Sequence, residues 1–218
     1  KLLIGNSGFE SEELNQKPEK IRSRQLATLK TIRSQMVDGI ICSSLRTTVE
    51  ELHAAAKNSP VILLGHSSGS LLKDFDVVIT DEQNGAIQIL DHLMDFGHKR
   101  IAHISGGVDE GPALRTKSFL NEMKKRGLAE YAKVYEGSWS QEAGYARTAD
   151  ILKEKILPTA IFAANDLIAM GVGQTVSTLS SKVKVVSFDL FPTANLLNIA
   201  TLDHDPQRLG RISAELLL

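Results

Sequence analysis

The chain has 218 residues, of which 42% are hydrophobic and 23% are charged, as in an ordinary globular protein. Its 25 Lys and Arg residues are balanced by 26 Asp and Glu residues, so the net charge is -1 at pH 7. Because nucleic-acid binding needs a basic surface, this balance argues against the chain itself being a DNA-reading domain. The one cysteine, Cys42, excludes an intrachain disulfide and fits a reducing compartment.

Strands and helices are predicted to alternate along the whole chain. Short apolar runs rich in β-branched residues predict buried parallel strands. These runs lie at 2–4, 37–42, 61–64, 77–79, 101–104, 134–135, 160–163 and 183–188. Apolar residues at helical spacing predict helices over 18–37, 48–58, 80–97, 114–127, 141–155, 166–179 and 206–218. This alternation predicts an α/β fold with parallel sheets and helices on both sheet faces.

Several helix ends carry local signals. Thr80 and Gln83 have the spacing of a capping box, and Gly97 is placed to end the helix that follows them. Asp166 comes directly before an apolar helical stretch, so it is predicted to be the N-cap of that helix. These signals fix where the predicted helices begin and end.

One motif is typical of an enzyme. Gly65-His66-Ser67-Ser68-Gly69 follows a predicted strand and matches the nucleophile elbow of α/β-hydrolases, and Ser67, Asp189 and His204 follow the chain order of a hydrolase triad. The elbow serine must lie between a strand and a helix, however, and the segment 71–76 leaves little room for a helix. No Gly-rich loop upstream supplies a second oxyanion donor. A serine hydrolase using Ser67 therefore remains an alternative, and our main expectation is a chain without catalysis.

Cofactor and metal motifs are missing from the sequence. No G-x-G-x-x-G fingerprint opens a predicted helix, and there is no phosphate-binding P-loop. The 6 histidines show no paired spacing on one helix face, so core or solvated positions are expected for them. We therefore predict neither a cofactor nor a bound metal.

Four side chains are predicted at, or just beyond, the carboxyl ends of strands, where open α/β sheets bind ligands. They are Arg115, Trp139, Asn165 and Asp189. Carboxylate and amide groups can bind paired hydroxyls, arginine can donate two parallel hydrogen bonds, and an indole can stack on an apolar sugar face. Each also has a purely structural interpretation, because Arg115 could pair with a helix acid and Trp139 could be a core residue. Together they favour a polyol-like ligand.

Several segments resemble the LacI/GalR family, and the resemblance covers essentially the whole chain. They are Val37-Asp38-Gly39-Ile40-Ile41, the stretch from Asp81 to Ala102 with Gly97-His98-Lys99-Arg100-Ile101-Ala102, the stretch from Pro158 to Gly171, and Val185-Val186-Ser187-Phe188-Asp189. The resemblance implies two lobes of the type I periplasmic-binding-protein fold with the effector in the cleft between them. We expect residues 1–80 with 201–218 in one lobe and 81–200 in the other.

The family also implies roles for single residues. By position, Arg115 matches the effector-contacting arginine, Trp139 the aromatic wall, Asn165 the cleft asparagine, and Asp189 the aspartate that takes ligand hydroxyls. Two positions depart from the family pattern. Gly65 lies where many members carry an acidic cleft residue, and Ser187 replaces a glycine.

The predicted function is that of a ligand-responsive bacterial transcriptional regulator, cytoplasmic and homodimeric, whose effector is a sugar or sugar derivative. Its DNA-binding head, together with the first strand-helix unit of the first lobe, is expected to precede Lys1 and to bind operator DNA. No membrane partner is expected, because no apolar run reaches the roughly 18 residues that span a bilayer. Besides the hydrolase, an extracytoplasmic sugar-binding protein of a transporter is an alternative, because it has the same fold.

Overall fold

A computed structural model describes residues 18–43, 47–57, 59–65, 71–107 and 110–218 of the chain. The predicted strand at 2–4 and the motif serine Ser67 lie outside the described residues. The chain divides into two compact units, unit 1 with Lys1–Thr80 and Asp205–Leu218, and unit 2 with Asp81–His204. The assignment of these units to the two lobes of the family stays a prediction.

Unit 1 contains a small parallel sheet with helices. Its described helices are α1 (Pro18–Ser34), α2 (Val49–Ala56), α3 (Leu71–Asp74) and α8 (Pro206–Leu217), and its strands β1 (Ile40–Ser43), β2 (Val61–Leu64) and β3 (Asp76–Val78) pair in the order β1-β2-β3. The segment 71–76 was expected to leave little room for a helix, and it contains only a single four-residue turn. One turn, α3, fits there because β3 begins only at Asp76.

Unit 2 contains a larger parallel sheet. Its helices are α4 (Glu82–Asp95), α5 (Glu110–Lys125), α6 (Gln141–Ile151) and α7 (Asp166–Thr178), and its strands are β4 (Ile101–Ile104), β5 (Ala132–Tyr135), β6 (Ala160–Ala163), β7 (Lys184–Ser187) and β8 (Ala200–Thr201). The strands pair in parallel in the order β5-β4-β6-β7-β8. The predicted α/β fold class with parallel sheets is confirmed. The short strand β8 is not among the apolar runs, because two paired residues leave no period to detect.

Both faces of the unit 2 sheet are covered by helices, as the apolar strands predict. On one face, Ile104 and Ile161 pack with residues of α6 and α7. On the other face, Ile101 and Phe162 pack with residues of α4 and α5. Successive residues of one strand thus enter different cores. Among the described residues, no helix combines the length and apolarity that crossing a membrane requires.

Two helix caps differ from the prediction by one residue. Helix α4 is capped by Asp81, whose carboxylate accepts a 2.9 Å hydrogen bond from the Asn84 backbone N–H, and not by the predicted box of Thr80 and Gln83. Helix α7 is capped by Asn165 and not by Asp166, because the Asn165 side-chain oxygen accepts from the Ile168 N–H at 2.9 Å. In both cases a neighbouring side chain of suitable chemistry competes for the same backbone donors.

Candidate ligand-binding site

The order of the unit 2 strands reverses at β4, and such a reversal predicts a crevice at the carboxyl ends of the strands. The chain runs from β4 to its neighbour β5 and then crosses to β6 on the other side of β4. Helix α5, which follows β4, and helix α7, which follows β6, therefore cover opposite faces of the sheet. Such a reversal of strand order is where open α/β sheets bind ligands. The residues described below lie at this edge.

Arg115 on α5 is held at the crevice by two elements. Its guanidinium donates from Nε to Oε2 of Glu82 and from Nη2 to Oε1 of Glu82, the latter at 3.2 Å. Its Nη1 donates to the backbone carbonyl of Ala164, the residue that follows β6. The Arg115 side chain is only 8% exposed. The arginine therefore connects the start of α4 to the end of β6 across the crevice.

Two aromatic rings enclose the same guanidinium. Its central carbon lies 3.7 Å from the centroid of the Phe188 ring and 5.7 Å from that of the Trp139 ring, both within the range of cation–π attraction. Phe188 is fully buried against Gly85, where an added Cβ would lie 2.6 Å from Phe188 Cζ. Gly85 thus gives Phe188 the space to lie beneath Arg115.

Trp139 reaches this edge through the loop after β5. A Cβ on Gly137 would lie 2.5 Å from the carbonyl oxygen of Ser105, so the loop can approach the end of β4 because residue 137 has no side chain. A Cβ on Gly106 would lie 3.4 Å from the Trp139 indole. The partly buried indole therefore lies beside the end of β4, close to Arg115.

Asp189 follows β7 and faces Arg115 from a third strand. Its Oδ2 lies 3.8 Å from Arg115 Nη1, and its Oδ1 lies 3.5 Å from the buried Nδ1 of His204. The Asp189 backbone N–H donates to the Ser187 hydroxyl at 3.3 Å, so the serine that replaces a family glycine helps to position the aspartate.

Burial raises the pKa of the Asp189 carboxyl above its ordinary value, and the charges of Asp166 and Glu82 act in the same direction. Arg115 and His204 oppose the shift. At 20% exposure, the Asp189 side chain still reaches solvent. This carboxylate is therefore poorly solvated yet accessible, and it gains from any hydroxyl that donates to it.

The structure thus brings three of the four predicted site residues into contact. Arg115, Trp139 and Asp189 meet at the crevice. Asn165 follows Ala164, whose carbonyl accepts from Arg115. The side-chain oxygen of Asn165 caps α7, and the residue is 2% exposed.

Glu82 is the site residue that the sequence did not reveal. The structural interpretation of Arg115, that it pairs with a helix acid, is confirmed, and the acid is Glu82. A carboxylate in the first turn of a helix is usually explained by the helix dipole, so its position in the sequence carries no signal of a binding site. In the structure the same residue belongs to the crevice.

Two chemical alternatives bear on the site. Of the hypothetical triad, Asp189 and His204 are in contact, while Ser67 lies outside the described residues. In the part of the chain that the structure describes, no group of three His, Cys, Asp or Glu side chains could hold a metal ion. The arrangement that is present, a carboxylate, a guanidinium and an indole, suits hydrogen bonding to a polyol.

Comparison with known proteins identifies relatives of this chain. Residues 90–218 match the family described as periplasmic binding protein-like domain. The HTH-type transcriptional repressor PurR of Histophilus somni (strain 2336) is 28% identical over 210 residues, which cover 92% of this chain and 61% of that protein. The ribose operon repressor of Escherichia coli (strain K12) is 25% identical over 206 residues, which cover 89% of this chain and 62% of that protein.

A solved structure is similar as well. The crystal structure of a LacI transcriptional regulator from a Rhodococcus species has a TM-score of 0.79 and 26% sequence identity, covering 86% of this chain and 72% of that one. The chain spans about 61% of the length of the PurR repressor that it matches. The predicted resemblance and the periplasmic-binding-protein-like fold are confirmed. The chain belongs to the periplasmic binding protein-like domain family, as a core of the LacI/GalR type.

Proposed function

We propose that this chain is the effector-binding and dimerisation core of a ligand-responsive bacterial transcriptional regulator. The observation that carries the proposal is the juxtaposition of Arg115, Trp139 and Asp189 at the carboxyl edge of the unit 2 sheet. Relatives named as transcriptional repressors support the regulatory role.

The proposed effector is a sugar or sugar derivative. Asp189 accepts hydrogen bonds from ligand hydroxyls, and the indole of Trp139 packs against the apolar face of a sugar ring. Arg115 orients the ligand through the N–H groups that Glu82 and Ala164 leave available. The Asn165 NH2 group donates to a ligand oxygen, since its carbonyl oxygen caps α7.

Regulation follows if the effector binds one conformation of the protein more tightly than another, because only that difference can shift an equilibrium. The proposed regulator is a homodimer in the cytoplasm. It reads operator DNA through a head domain that we expect upstream of Lys1, and the dimer presents two such heads to a palindromic site. A helix-turn-helix pattern in the upstream gene sequence supports this proposal, whereas a secretory signal peptide there supports the transporter binding protein instead.

We further propose that the chain has no catalytic activity. A fluorophosphonate probe that reacts with activated serines tests this point directly. No labelling of Ser67 is expected, and stoichiometric labelling that Ser67→Ala abolishes would establish the hydrolase alternative.

The test of the binding site uses two matched aspartate variants. Thermal-shift screening against sugars and nucleosides first finds a ligand, and calorimetry then measures its affinity for the wild type, Asp189→Asn and Asp150→Asn. Asp150 is a half-exposed acid on α6 that pairs with Arg147 and Lys153. We expect Asp189→Asn to weaken binding about tenfold or more, as expected for one lost charge-assisted hydrogen bond, and Asp150→Asn to have no effect. Equal affinities for all three proteins would contradict the proposal.

A further inference from the structure

We propose that Glu82 neutralises Arg115 and thereby makes the site selective for uncharged polyols over phosphorylated sugars and other anions. The inference rests on the proposed function, because it concerns the ligand of that same crevice. It assigns a specificity-determining role to Glu82, whose side chain is 15% exposed beside Arg115.

The hydrogen bonds of Arg115 to Glu82 and Ala164 disfavour an anionic ligand. A guanidinium captures phosphate or carboxylate by offering two parallel N–H groups to two oxygens. In this structure both oxygens of Glu82 already occupy the fork formed by Nε and Nη2. The backbone carbonyl of Ala164 accepts from Nη1. An anionic ligand would have to displace Glu82 to reach the fork formed by Nε and Nη2.

The charges around Arg115 also disfavour an anionic ligand. One guanidinium faces two carboxylates, because Asp189 Oδ2 lies 3.8 Å from Arg115 Nη1 and Glu82 holds the other side. His204 lies against Asp189, and Asp166 adds a further negative field there. Whether Asp189 is ionised or protonated, the set of Arg115, Glu82 and Asp189 has no net positive charge. A phosphate ester with a charge of about -1.5 to -2 would meet these carboxylates at low dielectric.

An uncharged polyol does not need the fork that Glu82 occupies, and the carboxylates of Glu82 and Asp189 do not repel it. Its hydroxyls can donate to Asp189 without bringing a second negative charge, and they can accept from the N–H groups of Arg115 that remain. The partly buried indole of Trp139 favours an apolar sugar face beside the guanidinium. The pairing of Arg115 with Glu82 thus leaves a site whose polar groups fit a neutral ligand.

The decisive variant is Glu82→Gln, which keeps the side-chain shape and one acceptor oxygen but removes the negative charge. Asp91→Asn is its matched control, because Asp91 lies on the same helix and pairs with a different arginine, Arg126, at 2.7 Å. The probes are inorganic phosphate and three pairs of compounds: ribose and ribose 5-phosphate, glucose and glucose 6-phosphate, and galactose and galactose 1-phosphate. Affinities are measured by calorimetry and thermal shift in a buffer of constant ionic strength.

For the wild type, we expect each sugar phosphate to bind at least about tenfold more weakly than its parent sugar wherever the parent binds, and no binding of inorganic phosphate. Glu82→Gln should shift the ratio of phosphate to parent affinity about tenfold towards the phosphate and should create phosphate-dependent stabilisation, because Arg115 gains a free charge. Asp91→Asn should behave as the wild type. Tighter wild-type binding of a sugar phosphate than of its parent, or an unchanged ratio in a folded Glu82→Gln protein, would overturn the inference.

The design separates this inference from the proposed function. If no sugar binds, or if binding does not depend on Asp189, the proposed function fails, while the inorganic phosphate measurement still decides whether Glu82 masks Arg115. If Glu82→Gln does not fold, the sugar and sugar phosphate affinities of the unaltered chain decide the question.

Discussion

Two arginines lie near the two ends of helix α5, and both face carboxylates in different surroundings. Arg115 lies near its start, and Arg126 comes just after its end at Lys125. Each faces two carboxylates, and in each case one of them comes from α4. Arg115 pairs with Glu82 and faces Asp189, whereas Arg126 contacts Asp91 at 2.7 Å and Glu122 at 3.6 Å.

The surroundings of the two arginines differ. The Arg126 side chain is 25% exposed, and it also contacts the sulfur of Met94. Arg115 is 8% exposed, stacks on Phe188 and donates to a backbone carbonyl at the carboxyl edge of the sheet. The same charges therefore form a partly solvated ion pair at one end of α5 and a buried, aromatic-lined polar cluster at the other. We infer that the first contributes a little stability and that the second serves binding.

The two arginines should differ most in how much stability the protein loses when each is replaced by alanine. Arg115→Ala leaves the carboxylate of Glu82 poorly solvated and unpaired, so the free energy of unfolding should fall by about 3–5 kcal/mol. Arg126→Ala should lower it by about 1 kcal/mol or less, because Asp91 is 55% exposed and Glu122 keeps its ion pair with Lys125. Urea denaturation followed by circular dichroism measures both, and equal losses would show that the two environments do not differ as described.

The core of unit 2 contains an uncharged histidine. His103 is fully buried on β4, its ring nitrogens lie 3.0 Å from the Phe162 carbonyl oxygen and the Thr116 hydroxyl, and burial lowers its pKa to about 4. In the unfolded chain, the His103 imidazole has a pKa of about 6.5 and so takes up a proton more readily than in the folded protein. Lowering the pH from about 6.5 to about 4 should therefore reduce the free energy of unfolding by about 3 kcal/mol. Below about pH 4 this group should cause no further loss.

The control for this pH effect is His103→Gln, which has no proton to gain. Unfolding free energies measured between pH 4 and pH 7 should lose that part of their pH dependence in the variant. An identical slope in both proteins would mean that His103 is not the group that titrates.

The packing beneath Arg115 is tested by Gly85→Ala. The new methyl group would lie 2.6 Å from Phe188 Cζ, so Phe188 must move, and overpacking of this kind costs about 1–3 kcal/mol. Gly210→Ala in α8 is the control, because no atom of the described residues lies within 4 Å of its added Cβ and alanine favours a helix by about 1 kcal/mol. Thermal melts should therefore shift in opposite directions for the two variants. A destabilised Gly210→Ala or a neutral Gly85→Ala would contradict the packing described here.

The smallest expected effect on stability concerns Asn165, the N-cap of α7, which follows Ala164. Asn165→Ala should lower the free energy of unfolding by about 1 kcal/mol, because the Ile168 N–H loses its acceptor. Asp166→Ala should have a smaller effect, since Asp166 accepts only from the adjacent Leu167 N–H at 2.7 Å. Chemical denaturation measures the loss in the free energy of unfolding for both variants. A larger loss for Asp166→Ala than for Asn165→Ala would indicate that Asp166 is the cap.

These residues also show how far the sequence can be interpreted. The strands Ile101–Ile104 and Ala160–Ala163 were predicted with their observed bounds, because short, mainly apolar runs close to a Gly or Asn give a clear signal. The caps were missed by one residue, because Thr80 and Asp81, or Asn165 and Asp166, have similar capping chemistry.

The candidate site was predictable only in part. Strand order placed Arg115, Trp139 and Asp189 at one edge of the sheet, since residues after parallel strands meet there. The pairing of Arg115 with Glu82 joins positions 33 residues apart, and many acids in the sequence could have taken that place. Three-dimensional packing of α4 against α5 selects Glu82, and no local pattern contains that information.

A crystal structure of the chain with a sugar found by thermal-shift screening examines the ligand-binding role of this edge most directly. We predict density for the sugar within hydrogen-bonding distance of the Asp189 carboxylate and against the Trp139 ring, with the Glu82 carboxylate still paired to Arg115. A sugar bound elsewhere on the protein, with these side chains untouched, would contradict the account.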